Sequence, residues 1–149
     1  MLKEAVGKRS NPVKNIIERG AVKKFAESIG DLHPLFIDED TGKNSRYQQN
    51  IAPPTFPRVL DYGTIEGFNL PNKGLIHGEQ VYHYNRPLLV GEEVQCYTEV
   101  ESVYERSGSQ GSMIFLVLKN YGDDIEGNNI FSEKMVIIIN EAVRKAMGL

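Results

Sequence analysis

Cysteine occurs once in the 149 residues, at Cys96, so no internal disulfide can form and the chain is not a small disulfide-framed protein. That sparing use fits a reducing compartment, and a cytosolic location is expected. No histidine lies beside Cys96 in sequence, and its plainer role is that of a small apolar strand residue rather than a reactive thiol. Charge of one sign is also lacking. The formal net charge is −3, with lysines and arginines scattered rather than run together, which argues against nucleic acid as a partner. Long hydrophobic runs are missing too: "MIFLVL" and "MVIII" fall far short of the roughly 20 residues of a membrane helix, and "MLKEAVGKRS" lacks the apolar core of a signal peptide. Only three histidines occur, and His77 and His83 stand six apart, which suits no helix-face metal pair; no metal and no cofactor are expected. A G-x-G-x-x-G, a P-loop and a G-x-S-x-G are all absent, which removes support for a nucleotide site or an esterase elbow.

What is present describes an ordinary globular chain. Hydrophobic residues make up 40% and charged residues 25%, without repeats or low-complexity linkers, and residues 1–149 are expected to form one domain. The pattern changes near residue 77. Before it, an extended piece is expected at Ile16 to Glu18, then a helix whose apolar positions Val22, Phe25, Ala26 and Ile29 follow i, i+3, i+4, i+7 spacing and which ends at Gly30. The prolines of "NIAPPTFPRVLDYG" disfavour a helix up to Pro57 but permit one to start there, so a short helix is expected from Pro57 to Gly67. After residue 77, four segments rich in Val, Ile, Tyr and Thr are separated by "VGEE", "SGSQGS" and "DDIEGN", which predicts an antiparallel meander. "QCYTEVESVY" alternates between a drier and a wetter face, whereas "MIFLVL" and "MVIII" are apolar on both faces and read as central strands.

The stretch that could carry chemistry is "IGDLHPLFIDED", residues 29–40. An aspartate directly after a helix-ending glycine, then a histidine and a proline, puts a carboxylate and an imidazole on a loop of partly fixed direction, a pair suited to proton transfer. On residue types alone Asp31 could equally bond its own loop backbone, with His33 at the surface.

"FAESIGDLHPLFIDED" resembles the signature of the MaoC-like, R-specific enoyl-CoA hydratase and 3-hydroxyacyl dehydratase family, in which a helix ends in Gly-Asp, followed by any residue, Asn-Pro, an aliphatic residue and His. "IAPPTFP" and "LIHGEQVYHYNRPLLVGEEV" resemble more specifically the FAS1-like dehydratase N-terminal type, and the likeness runs over roughly residues 14 to 140. The resemblance implies an α+β hotdog fold, an antiparallel sheet of about five strands wrapped around a central helix, for which residues 57 to 67 are the local candidate. It places Asp31 at the family's catalytic aspartate, His33 at its asparagine and Phe36 at its catalytic histidine. Phenylalanine carries no exchangeable proton, so the dyad is half present, and Phe36 is suited instead to line an acyl pocket. The same resemblance puts Thr55, Phe56 and Arg58, and His77 with Gly78, toward the substrate cleft; Arg58 would begin a helix whose N-terminal N–H groups polarise a thioester carbonyl, or else serve a surface salt bridge. It further implies an acyl-CoA or acyl-carrier thioester as substrate, and a homodimer or a heterodimer with a catalytic MaoC-like subunit. Three readings remain: a substrate-binding subunit of a dehydratase or hydratase, an independently active hydratase using Asp31 and His33, and a non-catalytic acyl-CoA binding module.

Overall fold

A computed structural model describes residues 2–149. Five strands, β1 (Val13–Ile16), β2 (Ile76–Tyr84), β3 (Glu93–Gly108), β4 (Gly111–Asp123) and β5 (Asn129–Ile139), form one antiparallel sheet in the order β1-β3-β4-β5-β2. The apolar runs "MIFLVL" and "MVIII" are indeed on central strands, β4 and β5. Two local expectations change. The first strand ends at Ile16 rather than covering Ile16 to Glu18, and only β3, β4 and β5 make a meander, because β2 crosses to the far edge and pairs with β5.

Helix α1 (Arg19–Ser28) forms where the apolar spacing places it, with Val22 and Ala26 fully buried. Its end is a left-handed closure: Gly30 has φ +70°, its N–H donates to Glu27 O (3.1 Å), and Asp31 N–H reaches back to Ala26 O (3.0 Å). This closure sets the direction of the chain into the Asp31 loop. Gly30→Ala is expected to cost about 1–2 kcal/mol, from the left-handed backbone rather than from crowding, since a Cβ there would meet no atom within 4 Å; a chemical denaturation curve unchanged from that of the parent would contradict it.

Two short helices follow, α2 (Pro34–Ile37) and α3 (Glu39–Asn44). Asp38 caps α3 by accepting from Thr41 N–H (2.9 Å) and Thr41 Oγ1–H (2.6 Å), and the hydroxyl bond, then the backbone bond, hold its carboxyl below the ordinary 3.8. The stabilisation is present above that ordinary value, fades as pH falls below it, and is gone once pH has passed the lower folded value. Asp38→Asn should therefore flatten the acid limb of a stability–pH profile, and an acid limb of unchanged shape would disprove the cap's share.

Residues 57 to 67 are not helical. Only a single 3-10 turn, Phe56–Val59, forms after the prolines, and the rest is irregular. The N-terminal segment claims the backbone groups a helix would use. Ser10 Oγ–H donates to Tyr62 O (2.6 Å), Asn15 Nδ2–H donates to Asp61 O (2.8 Å), and Asp61 N–H donates to Asn15 Oδ1 (3.0 Å). The inner face of the sheet is thus covered by irregular chain: Ile65 packs with Val100, Leu116, Leu118 and Met135, and Phe68 and Leu70 lean on the same cluster. A second cluster joins Ile17, Val22, Phe36 and Phe56 to Phe131. A bulge between Val100 and Ser102 shifts the phase of β3, so Val103 takes the inward place that strict alternation assigns to Ser102. The last helix, α4 (Glu141–Ala146), lies against β4, and Val143 joins a third cluster around Ile114 and Ile139. Among the described residues no helix is long and apolar enough to cross a membrane.

Candidate functional site

The "GDLHPLF" loop is built from backbone turns outward. After the closure of α1, Asp31 Oδ1 accepts the His33 backbone N–H (3.2 Å), and His33 caps α2 with Nδ1 accepting from Leu35 N–H (3.1 Å). Since Nδ1 accepts, the neutral imidazole carries its proton on Nε2, the nitrogen left for exchange. Both side chains are exposed. Among the described residues no hydrogen bond joins the carboxylate to the imidazole. Phe36, three residues on, turns inward at 9% exposure into the cluster with Val22 and Phe131, its ring centroid 5.7 Å from that of His33.

The loop is tied to the neighbouring helices by a residue that sequence reasoning passed over. Asn50, 1% exposed, donates from Nδ2 to Leu35 O (2.8 Å) and Asp38 O (2.8 Å) and accepts on Oδ1 from Arg19 Nη1 (2.7 Å). One amide side chain therefore joins the starts or ends of α1, α2 and α3. The approach is tight, and a Cβ at Gly42 would lie 2.5 Å from Asn50 N. The signal was weak, because an asparagine between polar residues and "APP" looks like any turn former.

Thr55, Phe56 and Arg58 sit at the 3-10 turn. Phe56 is 2% exposed and meets Phe25 edge-to-face at 5.5 Å between centroids, while Thr55 and Arg58 are exposed. The expected helix N-terminus at Arg58 does not exist, so a helix-end dipole cannot polarise a carbonyl there. His77 and Gly78 are elsewhere, exposed at the start of edge strand β2, with Gly78 in the register shift between His77 and Glu79. They lie about 20 Å along the strand from Tyr84, too far to join the Phe56 end. A Cβ on Gly78 would press on Ile138 Cδ1 (2.9 Å) and Val136 O (3.3 Å), so that glycine serves the sheet.

A groove of about 380 Å³ opens beside the "IAPP" segment, with Ile51, Ala52, Pro54 and Tyr84 as its apolar wall and Arg46 and Arg86 at its rim. The two guanidinium groups differ. Arg86 is paired fork-to-fork with Glu92 (2.8 Å and 2.8 Å), and Glu92 Oε2 also accepts Leu89 N–H (2.6 Å), so the "RPLLVGE" stretch is a clamped loop around buried Leu88. Arg46 instead stacks on Tyr47 at 4.9 Å, without a carboxylate partner among the described residues, and remains available to an anion. Among the described residues no cluster of three or more His, Cys, Asp or Glu could hold a metal ion.

With the sheet, the Asp31 loop and the groove in place, comparison with known proteins decides the family. The model of the FAS1-like dehydratase domain region matches residues 4–133. The chain belongs to that family. A UPF0336 protein from Thermobifida fusca is 33% identical over 100 residues, which make up 63% of this chain and 66% of the relative, so the chain spans slightly less than two-thirds of that relative's length. In the solved HadBC (3R-hydroxyacyl-ACP dehydratase) complex from Mycobacterium tuberculosis, one chain superposes with a TM-score of 0.78 at 22% identity, covering 93% of this chain and 99% of that one. The ChsH1-ChsH2 complex from the same organism gives 0.75 at 19% identity, covering 94% and 87%. At such identities these structures establish the fold, and it is the hotdog fold of the dehydratases. Within it Asp31 lies in the exposed turn after α1 and Phe36 turns into the core.

Proposed function

We propose that this chain is the substrate-binding subunit of a 3-hydroxyacyl-thioester dehydratase or enoyl-CoA hydratase and is catalytically incomplete alone. The observation that carries this is Phe36: at the histidine place of the signature stands a ring without an exchangeable proton, packed into the core at 9% exposure. The groove supports the reading, since its apolar wall suits an acyl or pantetheine segment and Arg46 at its rim suits a phosphate. Edge strand β2 supports a partner, with Ile76 47% exposed and one side of its backbone unpaired by any strand of this sheet. A second hotdog chain adding there would bring its own aspartate and histidine to a shared cleft, and two structural neighbours are themselves named as two-component complexes.

An independently active hydratase is the second reading, favoured by one observation: the Nε2 of His33 has no hydrogen-bond partner among the described residues and lies in the same exposed turn as Asp31. The experiment is hydration of a short and a medium enoyl-CoA by the purified chain, alone and mixed with a MaoC-like chain that carries the complete signature. Turnover only in the mixture supports the first reading. Saturable acyl-CoA binding without turnover in any mixture would replace it with a binding module.

A further inference from the structure

On the inner face of the sheet the register lines up Thr98, Asn120, Glu133 and Tyr82 across β3, β4, β5 and β2, a polar row between apolar rows. Its centre is a carboxylate, Glu133, at 1% exposure, flanked along β5 by Phe131 and Met135. No cation pairs with it among the described residues. Instead Asn120 Nδ2–H donates to Oε1 (2.7 Å) and Gln80 Nε2–H donates to Oε2 (2.9 Å). The carboxylate thereby fixes both amides, since turning either one over would aim its oxygen at a carboxylate oxygen. The consequence is that Asn120 Oδ1 and Gln80 Oε1 are buried without partners among the described residues, and Asn120 as a whole is only 4% exposed. Two orphaned acceptors fixed by a buried charge cost free energy unless a donor comes to them.

The missing donor can be described. The two acceptors are neutral amide oxygens buried between apolar rows, which suits a neutral O–H; an ammonium group would have to shed its water there. Tyr82 adds a hydroxyl that can give or accept, and its own titration is pushed up to about 12 by burial and then by Glu133, so it stays protonated. The row is reachable. Tyr84 lines the groove described above, and Tyr82 follows it on the same face of β2, about 7 Å along the strand. Tyr82 is half-buried, so the row is not sealed at its β2 end.

We propose that Glu133, with Asn120, Gln80 and Tyr82, forms a recognition site for a hydroxyl group carried on the acyl chain of the substrate, distal to the thioester. This rests on the reading of the chain as an acyl-binding subunit and extends it to a substrate class: acyl groups oxygenated along the chain. In a plain acyl pocket a terminal hydroxyl weakens binding; here it fills the acceptors and strengthens it.

The test is calorimetric titration of the whole chain with octanoyl-, decanoyl- and dodecanoyl-CoA, each against its ω-hydroxy derivative. At one of these lengths the hydroxy ligand is expected to bind about tenfold more tightly than its parent, the gain of one hydrogen bond to a charge-oriented group. In Glu133→Gln that ratio should fall to one. Gln80→Met, on the edge strand, gives the same readout if the core variant does not fold. Equal or weaker binding of the hydroxy ligand at all three lengths would overturn the proposal and leave the orphaned oxygens to water, as would a ratio that survives in both variants. Failure of every acyl-CoA to bind would instead remove the underlying acyl-binding reading, and the hydroxyl site with it.

Discussion

Asn50→Leu is expected to lower the unfolding free energy by about 1–3 kcal/mol, because it removes two side-chain hydrogen bonds, to Leu35 O and Asp38 O, and leaves these carbonyls with only the backbone donors Ile51 N–H (3.3 Å) and Gly42 N–H (3.0 Å). Leucine keeps the branched shape of asparagine but is larger, so no cavity opens and the loss combines the hydrogen bonds with crowding against Gly42. Arg19→Ala removes the third bond together with the exposed ion pair to Glu39 (3.5 Å), and since the arginine side chain is 46% exposed the penalty there should stay near or below about 1 kcal/mol. Urea denaturation of both variants checks the order. A loss under about 0.5 kcal/mol for Asn50→Leu would mean that the remaining backbone donors satisfy the two carbonyls, and that the Asp31 loop is not held from this point.

Turnover provides the second large effect. The isolated chain should hydrate enoyl-CoA at the level of the blank, and an equimolar MaoC-like partner with the complete signature should raise the rate by about 10²–10⁴, the usual worth of a positioned acid–base group. Phe36→His should not rescue the isolated chain. The side chain at 36 points into a cluster with Val22 and Phe131, where an imidazole would be buried and held neutral away from the exposed Asp31 carboxylate. If the isolated chain does turn over, and Asp31→Asn and His33→Ala each reduce that rate more than tenfold, the two-component reading fails and the His33 reading replaces it.

Much of the fold was legible in local pattern. Helix α1 follows from four apolar residues at helical spacing and a closing glycine, and β4 and β5 follow from runs apolar on both faces between glycine turns. The strand pairing was not, because alternation fixes which face a residue occupies and is silent on which neighbour a strand takes; β2 leaves β3 and joins β5. The candidate site divides the same way. Asp31 and His33 stood out as near neighbours in one segment and Phe36 through the resemblance of that segment, whereas Asn50 acts through partners 31, 15 and 12 positions away and left no local mark. Glu133 left a faint one: it occupies an inward place between Phe131 and Met135, and strict alternation along "FSEKM" would have flagged a carboxylate on a dry face.

By itself, then, the sequence determined the residue types at the signature positions, the turn glycines and the apolar periodicity, all of which act over a few bonds. Tertiary structure alone decided that residues 57 to 67 stay irregular. Local propensity permits a helix after Pro57, but Ser10 and Asn15, some fifty positions away, bond the backbone of Tyr62 and Asp61 and so remove the groups a helix would need. It also decided where the polar row meets the groove, since Gln80, Asn120 and Glu133 come together only when three strands are hydrogen-bonded in register.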